Sequence, residues 1–124
     1  VFVRKQPKEH GTRSRIEGGV VADKRVLLVE DLVTTGMSSL ASVDALREAG
    51  ALLDTCLAIV SYEFREADEA FGAAGVRLYA LTSFADILEA AVQAKRFDRQ
   101  AMDVINDWLR DPEGWAARHG FSKT

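Results

Sequence analysis

Between Val26 and Val92 a short apolar run gives way to an amphipathic stretch three times, and that alternation admits few folds. The apolar runs are Val26 to Val29, the β-rich end of Ala51 to Val60, and Val76 to Leu81. Each is strand-length and bounded by polar residues or glycine. The stretch from about Ser38 to Ala49 repeats Leu40, Val43 and Leu46 at helical spacing, with Gly50 as its C′ residue. Phe64 to Ala74 fits a second helix with Ala67, Ala70 and Phe71 inward, stopped by Gly75. Thr82 or Ser83 is placed to cap a third, carrying Phe84, Ile87, Leu88, Ala91 and Val92. Strands alternating with helices imply parallel pairing through right-handed crossovers, hence an α/β sheet with helices on its faces. A further helix, about Arg99 to Arg110, collects Met102, Ile105, Trp108 and Leu109 on one face. Asp111 to Thr124 reads as a tail with Trp115 docked. At the other end, Val1–Val3 and Ile16–Gly19 read as short strands enclosing a long polar loop.

Length and composition set outer bounds. The 124 residues make a single domain, 1–124 with a tail at 111–124, large enough for a real core. A net charge of −3 argues against wholesale nucleic-acid binding. No apolar run is long enough to span a bilayer, and no signal-peptide pattern opens the chain. Cys56 is the one cysteine, set in an apolar strand, so a buried thiol in a reducing cytoplasm is expected. Val1 opens directly in an extended pattern, which reads as a chain starting inside a domain. No His, Cys or Asp spacing describes a protein-built metal cage, and His119 falls in the tail.

Chemistry concentrates after the first long apolar run. Four apolar residues, expected to form a strand buried on both faces, end in Glu30 and Asp31. Leu32, Val33, Thr34, Thr35, Gly36, Met37, Ser38 and Ser39 then turn into the helix, with Ser38 or Ser39 as its expected cap. Backbone N–H groups, hydroxyls and the positive end of a helix dipole converge there, which makes a phosphate site. No lysine follows Gly36, which excludes a P-loop, and a single glycine excludes a dinucleotide fingerprint. What remains is a cradle for one phosphate monoester with two carboxylates beside its carrier. An ordinary capped strand-turn-helix is the plainer alternative, but a structural turn has no use for paired acids at a buried strand end.

The stretch resembles the phosphoribosyl-diphosphate (PRPP) motif of type I phosphoribosyltransferases. The resemblance implies their Rossmann-like fold, a parallel twisted sheet flanked by helices, and gives each residue a role. Glu30 and Asp31 would orient the ribose, and Leu32 through Ser38 would hold the 5′-phosphate. Upstream, Arg4, Lys5, Lys8 and His10 cluster with Arg13 and Arg15 on the polar loop. Such a cluster repels itself unless an anion visits, and a diphosphate leaving group would be one. The pattern Phe2-Val3-Arg4-Lys5-x-x-Lys8-x-His10-Gly11, followed by Ile16-Glu17-Gly18, is similar to the catalytic loop of orotate phosphoribosyltransferases.

That similarity implies transfer of ribose 5-phosphate from PRPP to orotate in pyrimidine biosynthesis, giving orotidine 5′-monophosphate and diphosphate. Lys8, His10, Glu30 and Asp31 would be catalytic; Arg4 and Lys5 would join them in binding substrate. Mg²⁺ would arrive with the phosphates and ribose hydroxyls. A homodimer is implied, the Arg4–His10 loop reaching the neighbouring site. The sequence also departs from the family. The acid–arginine pair after the next strand is absent, the segment reading Val60-Ser61-Tyr62-Glu63-Phe64-Arg65 with Arg65 at a different offset. The family's N-terminal hood has no counterpart. Another PRPP-dependent transferase and a PRPP-sensing regulator without catalysis are the alternative readings.

Overall fold

The computed structural model describes residues 1–4 and 15–121. Its element order is β1 (Phe2–Val3), β2 (Ile16–Glu17), β3 (Leu28–Val33), α1 (Met37–Glu48), β4 (Thr55–Ser61), α2 (Arg65–Ala73), β5 (Arg77–Ser83), α3 (Phe84–Gln93), α4 (Arg99–Arg110) and α5 (Pro112–Arg118). The chain divides into two compact units, Val1–Ser83 and Phe84–Thr124.

The first unit is built on a parallel sheet of order β3-β4-β5. Its register runs from Leu28 opposite Cys56 to Val33 opposite Ser61, and from Thr55 opposite Arg77 to Ser61 opposite Ser83. Val43 and Leu46 of α1 and Ala67 and Phe71 of α2 pack with Leu28, Cys56 and Ala58 in one core. Both crossovers therefore cover the same side of the sheet, as two right-handed steps in one direction require. Helices α1 and α2 both end in paired backbone bonds. Gly50 N–H donates to Arg47 O and Ala51 N–H to Leu46 O; Gly75 N–H donates to Gly72 O and Val76 N–H to Phe71 O. These are Schellman endings, with each glycine at C′ as its position in the sequence requires. The β1–β2 hairpin is antiparallel and packs onto the core through Val3 and Ile16.

The second unit holds α3, α4 and α5. Asp98 caps α4, its carboxylate accepting from Ala101 N–H at 2.8 Å. Asp111 caps α5 by accepting from Gly114 N–H at 2.9 Å, with Pro112 in the first turn. Arg118 donates back to Asp111 at 2.7 Å. Trp115 stacks on His119, 4.2 Å between ring centroids.

Three local expectations are corrected. The first long strand runs Leu28–Val33 rather than Val26–Val29, so Glu30 and Asp31 lie inside it. Its pairing with β4 continues past the acids. Nor is that strand buried on both faces: Val29 is exposed, on the face turned away from the α1–α2 core. Lastly, the stretch from Asp111 onward is partly helical. Pro112 serves in the first turn, where no N–H is needed. Thr82 and Ser83 complete β5, and α3 begins immediately after them.

Candidate functional site

The carboxyl end of β3 is where the sequence placed the chemistry, and the turn there has a definite physical construction. Gly36, not Ser38 or Ser39, is the N-cap of α1, and no side chain caps the helix. A hydroxyl already inside the first turn cannot serve as its cap, and Ser39 is buried there. The first intrahelical bond reaches Gly36 O from Leu40 N–H at 2.9 Å. The N–H groups of Met37, Ser38 and Ser39 precede that bond, at the positive end of a twelve-residue helix. A cleft of about 250 Å³ lies over them, lined by Leu32 through Ser39. Thr34, Thr35 and Ser38 are exposed and border it.

Gly36 has two reasons to be glycine. Its φ is +81°, and a Cβ built there would lie 2.7 Å from Phe71 Cε2. The ring of Phe71, on α2, therefore forms the floor beneath the turn, a support that the sequence pattern marked only as core.

Glu30 and Asp31 occupy successive strand positions, so their side chains leave β3 on opposite sides. Asp31 is exposed, and its Oδ1 accepts from Leu32 N–H at 2.7 Å. Glu30 is half-buried, and its charge adds to the burial that pushes the Cys56 thiol up to about 11. Beside them, Tyr62 N–H donates to Val33 O at 2.9 Å, tying the end of β4 to the end of β3. Glu63 follows in the left-handed region at φ 55°, its N–H held by Ser61 Oγ at 3.0 Å. A non-glycine residue there stores about 1–3 kcal/mol of strain.

The remaining candidates fall elsewhere. Lys5, Lys8 and His10, with Arg13, lie outside the described residues. Arg4, which precedes them, donates from Nε and Nη2 to both carboxylate oxygens of Glu17 at 2.8 and 3.2 Å. Its backbone N–H donates to Arg15 O, and Arg15 Nε donates to Arg4 O. Arg65 is exposed on α2 and pairs with Glu69 one turn on. Among the described residues no group of three or more His, Cys, Asp or Glu could hold a metal ion. None of the described helices is long and apolar enough to cross a membrane.

Sequence reasoning missed Arg47. From the last turn of α1 it donates twice to Leu53 O, at 3.1 and 2.7 Å, and once to Ala74 O at 2.8 Å. It thereby joins α1 to the approach of β4 and to the end of α2. A basic residue near a helix C-terminus was the available signal. A larger hollow of about 630 Å³ opens beside it, between Arg25, Leu52 and Asp54 at the amino end of the sheet. That is the wrong end for a ligand in an open α/β sheet, and its Arg47 is already committed.

Comparison with known proteins agrees with the motif. No family model matches the chain. The orotate phosphoribosyltransferase of Agrobacterium fabrum is 38% identical over 121 residues, 97% of this chain and 52% of that protein. That of Ruegeria sp. is 42% identical over 115 residues, 92% of this chain and 51% of that protein. Among solved structures, the Mycobacterium tuberculosis orotate phosphoribosyltransferase superposes with a TM-score of 0.60 at 39% identity, covering 68% of this chain and 47% of the other. The chain thus spans about half the length of the curated relatives it matches. With a parallel sheet flanked by helices and relatives matched along nearly its whole length, the chain belongs to the orotate phosphoribosyltransferase family, in the type I phosphoribosyltransferase fold.

Proposed function

We propose that this chain carries the PRPP-binding part of an orotate phosphoribosyltransferase acting in pyrimidine biosynthesis. The observation that carries the reading is the turn itself, a helix N-terminus with no side-chain cap under a cleft lined by Thr34, Thr35 and Ser38, with Asp31 exposed beside it. In this reading the N–H groups of Met37 to Ser39 and the three hydroxyls hold the ribose 5′-phosphate. Asp31, from the open side of β3, accepts hydrogen bonds from a ribose hydroxyl, and Glu30 supports the other. As the bond from C1 to diphosphate lengthens, positive charge grows on the ribose, and the two carboxylates stabilise it. Orotate N1, its proton passing to the departing diphosphate, then bonds to C1 as the bond to the diphosphate oxygen breaks, giving orotidine 5′-monophosphate.

Lys5, Lys8 and His10 are assigned to the leaving diphosphate, with the loop closing to keep water from PRPP. Arg4, paired with Glu17, anchors the neck of that loop, and its own contact with diphosphate would require that pair to open. The loop serves the neighbouring subunit of a homodimer in the cytoplasm. The hard oxygen donors of this site, Asp31 above all, suit Mg²⁺ held chiefly by PRPP. When bound, the ion neutralises charge on the diphosphate.

The test is PRPP-dependent loss of orotate absorbance, measured on the 124-residue chain and on the same chain extended to the full length of its relatives. Orotate consumption by the extended form supports the reading. PRPP binding without consumption of orotate would replace it with a sensor.

A further inference from the structure

The chain holds three sulfur atoms, in Met37, Cys56 and Met102, and the fold treats them differently. Cys56 lies in the core of the first unit with no exposed surface. Burial pushes its thiol up to about 11, so near neutral pH it is neither reachable nor ionised. Met102 is half-buried on α4. Met37 is 70% exposed, the first residue of α1 and part of the lining of the cleft over the turn from β3. An apolar side chain left in the open among Thr34, Thr35 and Ser38 adds little to any core.

Its position gives this thioether a particular reach. Cα–Cβ bonds in a helix tilt toward the helix N-terminus, so a side chain at the first position leans over that end. The end lacks a side-chain acceptor, because its N-cap is Gly36. The N–H groups of Ser38 and Ser39 are therefore left to whatever acceptor enters the cleft. A thioether is a poor acceptor and does not compete for them. A sulfoxide carries a polar oxygen on the same flexible stem, and that oxygen is an acceptor of the kind the helix end lacks.

We infer that Met37 is a site of reversible oxidation by peroxides, and that its sulfoxide caps α1 and closes the turn to phosphate. In the step, the sulfur gives an electron pair to one oxygen of hydrogen peroxide. The O–O bond breaks, an S–O bond forms, and the second oxygen leaves as water; sulfur is oxidised and peroxide reduced by the same electron pair. A methionine sulfoxide reductase drawing on a dithiol reverses it, releasing the oxygen as water and leaving a disulfide on the reductant. While it lasts, the sulfoxide oxygen takes the hydrogen bonds of Ser38 and Ser39 that the proposed function gives to the 5′-phosphate. The loss of phosphate binding thus rests on that reading, whereas the oxidation and the cap do not.

The experiment treats the 124-residue chain with dilute hydrogen peroxide and locates the added oxygen by peptide mass. Met37 should oxidise at least about fivefold faster than Met102, as susceptibility follows exposure. Without ligand, amide exchange at Ser38 and Ser39 should slow by about tenfold in the oxidised chain, as their N–H groups gain an acceptor. Ribose 5-phosphate, followed by the amide shifts of the same residues, should bind about tenfold or more weakly, having lost bonds to a charged group. Treatment with the two sulfoxide reductases, one per epimer, and dithiothreitol should restore both readouts. In Met37→Leu, whatever its own affinity, peroxide should change neither readout; in Met102→Leu it should change both. Oxidation of Met102 as fast as Met37 overturns the inference. So does oxidised Met37 that leaves the two amides, or a measurable affinity, as they were, and so does peroxide sensitivity that persists in Met37→Leu. An untreated chain that fails to bind ribose 5-phosphate would sink the phosphate reading alone, since exchange at Ser38 and Ser39 still decides the cap.

Discussion

Substituting Gly36 by alanine tests whether the turn is held in shape by the ring beneath it. Two costs follow from the geometry. At φ +81° an L-residue is strained, by about 1–2 kcal/mol. The new Cβ would also sit 2.7 Å from Phe71 Cε2 and 3.2 Å from Cδ2, inside a close-packed core. Relieving such an overlap costs typically about 1–3 kcal/mol. The sum, about 2–5 kcal/mol, is a large share of the stability of a domain this size. The two parts separate in a double-mutant cycle with Phe71→Leu, which removes the ring atom that clashes. In that background Gly36→Ala should keep only its conformational cost, leaving a coupling of about 1–3 kcal/mol in urea unfolding at unchanged m-value. Additivity within about 0.5 kcal/mol would show that Phe71 does not support the turn.

Other outcomes follow from the same contacts. Under the proposed function, Asp31→Asn in the chain extended to its relatives' length should lower orotate turnover by about 10²-fold or more, since its charge would face the developing cation. Glu30→Gln, half-buried, should cost less, and the opposite ranking in steady-state assays would refute the assignment. Arg47→Met leaves Leu53 O and Ala74 O without their donors and should destabilise by about 2–4 kcal/mol in the same urea titration. Cys56 carries a pKa of about 11 in the fold against 9.0 in the open chain, because burial first and Glu30 second disfavour the thiolate. The unfolded chain releases its proton first, so stability should fall between about pH 9 and pH 11 by roughly 2–3 kcal/mol. Cys56→Ala should flatten that part of the curve.

What could be read from the sequence was whatever its local chemistry determines. The ends of α1 and α2 followed from Gly50 and Gly75, because a Schellman ending needs a residue tolerant of positive φ. The turn from β3 into α1 was legible because hydroxyls, glycine and acids at fixed offsets have few structural uses. Where β3 stops was not legible, because it depends on pairing with β4, nearly thirty residues on, and the acids looked like a boundary. The floor that Phe71 gives Gly36 and the three bonds of Arg47 are likewise products of tertiary packing. The helix after Asp111 was a different failure. The Asp-Pro pair is a start signal as much as a stop, with Asp as cap and Pro at N1.

The central claim is that the turn from Thr34 to Ser39 is a phosphate cradle, and backbone amide chemical shifts of the 124-residue chain titrated with PRPP test it most directly. Saturable shifts at Met37, Ser38 and Ser39, reproduced by ribose 5-phosphate and abolished by Gly36→Ala in a chain that remains folded, are the predicted result. Binding that leaves those three amides unmoved, or that centres on the hollow between Arg25 and Asp54, would contradict it.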